Sequence, residues 1–327
     1  MRAAVVPAML VLGLALPGCG SNVKIKRGGA VVGTTLAVYS SLPDPGHGTS
    51  RDIVDGEKLA LARAGGRAGE YLVNFVSVDE TGRPAREHAA ATVEDTIRDL
   101  QLVAVIGAMR SETAAVSVPL YNAAGLLLVS PGAQDPRLDG PRFEPSGRPT
   151  LARLVGDDEV QAESLLRAAG ALRVAVEREP GRTGAAIEAA LRARGANIVP
   201  GAPRAIYAGR DPVAAARFAR RTDAERVVFP DEVVREGLRL TGAARDRARM
   251  VTSAPEPGST RELRAFERDF RAAFGRAPGP YAAVGYDAMN DVLATIRRAG
   301  KRANRRSVIA DDFVRSTQPR PYRVVGR

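Results

Sequence analysis

The stretch over residues 102–134, LVAVIGAMRSETAAVSVPLYNAAGLLLVSPGAQ, changes its periodicity twice. Residues 102–106 form an unbroken apolar run, which fits a strand buried on both faces. Residues 112–124 carry the spacing of a helix, and residues 126–129 return to strand character. Two such strands joined by one helix make a right-handed βαβ unit, so the sheet is parallel and has helices on both faces.

The same beat extends in both directions. Upstream, residues 30–38 read as a strand, 51–64 as a helix carrying Ile53, Val54, Leu59 and Leu61, 71–78 as a strand, and 84–100 as a helix with Pro84 near its first turn. Downstream, residues 131–149 are rich in proline and glycine and are expected to cross from one lobe to another. Beyond them, helices over 158–169, 183–194, 212–221 and 232–240 alternate with strands over 172–176, 205–208, 226–229 and 250–252. Two consecutive α/β sets of similar size predict a bilobed protein. Pro255-Glu256-Pro257-Gly258 marks another boundary, followed by amphipathic helices over 261–274 and 281–299.

The chain begins Met1-Arg2, runs mostly apolar from Val5 to Leu16 and reaches Leu16-Pro17-Gly18-Cys19. That run is shorter than the roughly 20 apolar residues of a membrane helix and reads as the core of a signal peptide spanning residues 1–18. Gly18-Cys19 resembles a lipobox, in which cleavage precedes the cysteine and its sulfur is lipidated; Pro17 departs from the usual motif. Cys19 is the only cysteine, so an internal disulfide is excluded. Residues 19–30 read as a polar linker, and no later stretch approaches a membrane span. The expectation is a monomer outside the cytoplasm, tethered to the membrane by the lipid on Cys19. The net charge of +11 is carried by arginines spread along the chain, with lysine only at Lys24, Lys26, Lys58 and Lys301 and few aromatics, a pattern that argues against a nucleic-acid site.

An open α/β sheet binds ligands beyond the carboxyl ends of its strands, where loops and helix N-termini present N–H groups. Two loops qualify: residues 107–113 after the strand ending at Ile106, and residues 130–134 after the strand ending at Val129. Both offer hydroxyl, amide and backbone donors suited to a carboxylate. From the pattern alone, Ser111 and Thr113 read equally well as caps of the following helix.

Several motifs together resemble the branched-chain amino-acid receptors of ABC importers, within the type I periplasmic-binding-protein superfamily. They are Val105-Ile106-Gly107, Tyr121 with Ala124-Gly125-Leu126, and Ser130-Pro131-Gly132-Ala133; Gly65-Gly66 and Val78-Asp79-Glu80 add to them, as do Arg153 with Asp157-Asp158 and Pro280-Tyr281 through Ala288. The resemblance covers about residues 30–300. It implies a first lobe of residues 31–151 and 255–305 and a second of 152–254 and 306–327, the last strand lying at 322–325. A small polar ligand, an amino acid or a related compound, would be held in the cleft and passed to an ABC permease, with no cofactor and no metal. The ligand carboxylate falls to Ser111, Gly132 and Gln134, and the ammonium to Asp231, with Glu232 beside it.

This sequence also departs from that pattern. Gln134 replaces a threonine, Glu112 stands where a small residue is common, and the aromatic residues usual in two second-lobe loops are replaced by residues 179–184 and 207–211. Arg210 in the second of these loops either enters the cleft, favouring an anionic ligand, or points to solvent. These changes also fit a ligand-sensing or degenerate binding lipoprotein that serves no transporter. An enzyme is not expected: there is no phosphate-binding GxxxxGK[ST] loop, no HExxH pair and no GxSxG elbow, and His47 and His88 are the only histidines.

Overall fold

The computed structural model describes residues 24–25, 31–32, 34–82 and 84–326. The signal peptide, Cys19 and most of the linker lie outside the described residues. Lys24–Ile25 (β1) pairs antiparallel with Val31–Val32 (β2).

A first six-stranded sheet contains Thr35–Leu42 (β3), Arg67–Ala68 (β4), Tyr71–Asp79 (β5), Leu102–Gly107 (β6), Leu127–Ser130 (β7) and Leu151–Arg153 (β8), in the order β4-β5-β3-β6-β7-β8. Every pairing is parallel except that of β4 with β5. Every residue of β6 and β7 is buried, as an apolar run sandwiched between two helical layers requires. A second sheet contains Arg173–Arg178 (β9), Asn197–Ile198 (β10), Arg204–Ala208 (β11), Arg226–Phe229 (β12), Ala248–Thr252 (β13) and Arg323–Val325 (β14), in the order β10-β9-β11-β12-β13-β14. Only β14 runs antiparallel there, against β13.

The helices are Gly48–Arg63 (α1), Ala85–Ile97 (α2), Ser111–Ala123 (α3), Asp158–Ala169 (α4), Arg182–Ala193 (α5), Pro212–Arg221 (α6), Asp231–Arg235 (α7), Gly242–Arg247 (α8), Arg261–Phe274 (α9), Ala282–Ala299 (α10) and Arg306–Ser316 (α11). One face of the first sheet is covered by α1, α10 and α11, which bring Ile53, Met289, Leu293, Ile309 and Phe313 onto Leu36, Val38, Ile106 and Leu127. The other face is covered by α2 and α3 through Val93, Val118 and Tyr121. On the second sheet, α4 and α5 cover one face and α6 to α8 the other.

Three expectations are corrected. Residues 131–149 do not cross between lobes: their two short 3₁₀ turns bury Leu138 against the first lobe and lead into β8. Asn122 pins this loop by accepting from the Ser146 N–H (2.8 Å) and donating to the Arg148 carbonyl (2.7 Å). The chain leaves the first sheet only after Arg153. Nor do residues 306–327 all belong to the second lobe, because α11 buries Ile309, Ala310 and Phe313 in the first lobe's core and only β14 joins the second sheet. The helix expected over 232–240 stops at Arg235, where Gly237 (φ +86°) turns the chain and the Leu238 N–H caps the Val233 carbonyl.

The chain therefore passes between the sheets three times, near residues 154–157, 253–255 and 317–322. These segments are bonded side by side. Val155 bridges Arg320, the Arg320 N–H donates to the Leu154 carbonyl (2.9 Å), and the Arg323 guanidinium donates to the Ala254 and Pro255 carbonyls.

Candidate functional site

A cleft of about 350 Å³ opens between the lobes. Its walls are the loops after β3, β5, β6 and β7 on one side and those after β9, β11 and β12 on the other, so it lies beyond the carboxyl ends of both sheets. Most of the side chains that line it are polar or charged; Met109 and Pro43 are the hydrophobic ones.

Ser111, Gly132, Gln134 and Arg210 all line this cleft. The backbone donors of the loop after β7 are already engaged internally. Ser130 Oγ accepts from the Ala133 N–H (2.9 Å) and more distantly from the Gly132 N–H (3.4 Å), while it donates to the Ala108 carbonyl (2.8 Å). Ser111 Oγ accepts from the N–H groups of Gln134 (3.1 Å) and Asp135 (3.2 Å). Ala108 holds a left-handed backbone (φ +54°), a strained conformation for alanine that turns the chain sharply out of β6. At Gly132 any side chain would collide with the Arg235 guanidinium and Met109.

Asp231 does not line the cleft. It is fully buried; its Oδ1 accepts from the Ser253 N–H (2.9 Å) and the Tyr281 hydroxyl (2.5 Å), and its Oδ2 from the Ser253 hydroxyl (2.9 Å). With its oxygens committed behind the wall, Asp231 is not placed to meet an ammonium group. The next residue, Glu232, does face the cleft and accepts from Gln161 Nε2 at 3.0 and 3.2 Å. Burial pushes its carboxyl up to about 8 although Arg235 pulls the other way, so at neutral pH it is mostly a neutral acid.

The residue that sequence reasoning missed is Arg235. It is 7% exposed, lines the cleft, and reaches from the second lobe into the first-lobe wall. There Nη2 donates to Gln134 Oε1 (3.2 Å), Nη1 meets only the Met109 sulfur (3.8 Å), and Nε lies 3.6 Å from Asp231 Oδ2. The signal was its place one helical turn after Asp231, where an i,i+4 acid–base pair shares one face. Arg210 pairs with Glu112 across the cleft (3.3 Å), and Arg110 pairs in the opposite sense with Glu236 (2.9 Å). Each lobe thus contributes one arginine and one glutamate to two crossed bridges. His47 pairs with Asp44 on the exposed rim. Among the described residues, no group of three or more His, Cys, Asp or Glu is placed to hold a metal ion.

This two-lobed arrangement, with mostly parallel sheets around an interlobe cleft, is the type I periplasmic-binding-protein fold. Comparison with solved structures bears this out. The chain is similar to an ABC transporter substrate-binding protein from Desulfitobacterium hafniense in complex with Leu, at TM-score 0.69 and 17% identity over 85% of this chain and 88% of that one. It is also similar to a branched-chain amino acid transporter substrate binding protein from Streptococcus pneumoniae in complex with isoleucine (TM-score 0.64, 17% identity, 85% and 87% covered). A third is a solute binding protein from R. palustris in complex with benzoate (TM-score 0.64, 18% identity, 88% of each chain covered). At these identities the likeness establishes the fold. No protein-family model and no curated protein sequence matches the chain.

Proposed function

We propose that this chain is an extracytoplasmic solute-binding lipoprotein, which captures a small polar ligand between its lobes and delivers it to an ABC importer without altering it. The observation that carries the reading is the polar cleft beyond the carboxyl ends of both sheets, in a fold shared with proteins that hold leucine, isoleucine or benzoate. Its volume lies at the small end of the roughly 300–1,000 Å³ of ligand sites. Closure of the lobes follows if the ligand touches both walls at once, because only contacts better in the closed state shift the balance toward it.

Ser111, Gly132 and Gln134 shape the first-lobe wall in this reading, while Arg210 and Arg235 bring positive charge from the second. The anchor is the lipid on Cys19, and the membrane partner is an ABC permease. No helix among the described residues is long and apolar enough to cross a membrane, which is compatible with a tethered body. A thermal-shift screen of amino acids, carboxylates, amides and short peptides tests the reading, since a ligand that binds only the native state raises Tm by mass action. Failure of every compound to raise Tm would count against solute capture. Loss of membrane association in Cys19→Ser tests the anchor.

A further inference from the structure

We propose that Arg235 is the receptor for an anionic group of the ligand, a carboxylate or like oxyanion on a molecule that carries no ammonium; this rests on the reading of the cleft as a solute site. The first reason is where the donors are. The backbone N–H groups of the loop over residues 132–135 are turned onto Ser130 and Ser111, so they are not aimed at a guest. A guanidinium offers five N–H groups. That of Arg235 has one good neutral acceptor in Gln134, a weak one in the Met109 sulfur, and a carboxylate oxygen at 3.6 Å. A buried cation with donors to spare, lining a cavity, matches the planar two-oxygen edge of a carboxylate.

The second reason is the state of the acids. Each carboxyl group that lines the cleft, ionised or, as in Glu232, mostly neutral, already has a partner within the protein: Glu112 has Arg210 and Thr183, Glu236 has Arg110, Asp44 has His47, and Glu232 has Gln161. Asp231 lies behind Arg235 with its oxygens satisfied. An ammonium entering this cleft would compete with these donors for the same oxygens, whereas a carboxylate meets in Arg235 a guanidinium with N–H groups to spare.

The test is a calorimetric and thermal-shift comparison of benzoate with benzamide, succinate with succinamide, and leucine, on the wild type, Arg235→Lys and Arg235→Gln. A carboxylate is expected to bind and its uncharged amide and leucine are not. Arg235→Lys, which keeps the charge but loses the fork, should weaken binding by about tenfold or more, and Arg235→Gln should abolish it. Circular dichroism of the ligand-free variants establishes that they fold; should Arg235→Gln not fold, Arg235→Lys carries the test alone. Binding of leucine, equal binding of an acid and its amide, or wild-type affinity in Arg235→Lys each overturns the role of Arg235 while leaving solute capture standing. If none of the five compounds binds the wild type, the role of Arg235 falls together with solute capture.

Discussion

Asp231 and Arg235 stand one turn apart on α7, both almost wholly removed from water. Such a pair is held by hydrogen bonds to its remaining atoms, and removal of one partner leaves the other charge buried alone. Asp231→Ala is therefore expected to lower the stability of the ligand-free protein by about 3–5 kcal/mol, read as a shift in the urea midpoint; this effect is structural and does not require any ligand. A second expectation concerns Glu80 and Glu232. Burial pushes both carboxyls from 4.5 up to about 8, and one oxygen of Glu80 has no hydrogen-bond partner. The folded chain holds these protons more tightly than the unfolded chain, so this part of the stability is present below 4.5 and is lost as pH rises toward 8. Glu80→Gln and Glu232→Gln should each flatten the fall in stability between pH 5 and pH 8 relative to wild type, measured by urea unfolding at each pH. Such burial was not legible in the sequence. A post-strand Asp79-Glu80 looks like an ordinary polar loop until the fold packs Glu80 under the chain around Met109 and Arg110. For the same reason Asp231 was assigned to the ligand: a sequence places it after β12 but not its carboxylate behind the wall.

Strand and helix positions were far more legible, because periodicity and capping are local. Three helices, α4, α6 and α9, occupy the residues expected of them. Each begins at a side-chain cap, Asp157, Asp211 and Thr260 in turn, that accepts from an N–H in the first turn. Removal of one such cap, as in Asp211→Ala, should cost about 1 kcal/mol, measurable as a modest drop in Tm. The misplaced elements are those whose ends depend on distant packing. α11 was not expected as an element, and its apolar residues fit a helix only once the first sheet is there to receive them. α1 and α10 illustrate the tertiary constraint most sharply. Gly56 lies against the Ala282 carbonyl and the Tyr286 amide, and Gly285 against the backbone of Ile53, so the two helices meet backbone to backbone. Gly285→Ala should destabilise the fold by about 1–3 kcal/mol, the usual cost of overpacking, since the obstructing atoms are main chain and cannot swing aside. Circular dichroism melts of the variant against wild type check this.

At the scale of the whole molecule, the cleft is spanned by the crossed bridges Arg110–Glu236 and Arg210–Glu112. All four side chains retain about a third of their exposure, so each bridge contributes only about 0.2–1 kcal/mol and is weakened by salt. That is too little to hold the fold and enough to bias an open–closed balance of similar size. Replacing both acids, as Glu112→Gln with Glu236→Gln, should enlarge the radius of gyration of the ligand-free protein in small-angle scattering and leave Tm nearly unchanged. An equally compact variant would show that the bridges do not govern closure.

The three laterally bonded crossings between the sheets bear on how such a balance can move at all. A twist of one lobe about the long axis would shear Val155 from Arg320 and pull the Arg323 guanidinium off the Ala254 carbonyl. A flexing of all three ribbons together leaves those links intact. A joint linked in this way resists shear more than bending, so any opening that keeps the links intact would carry the two jaws along one path.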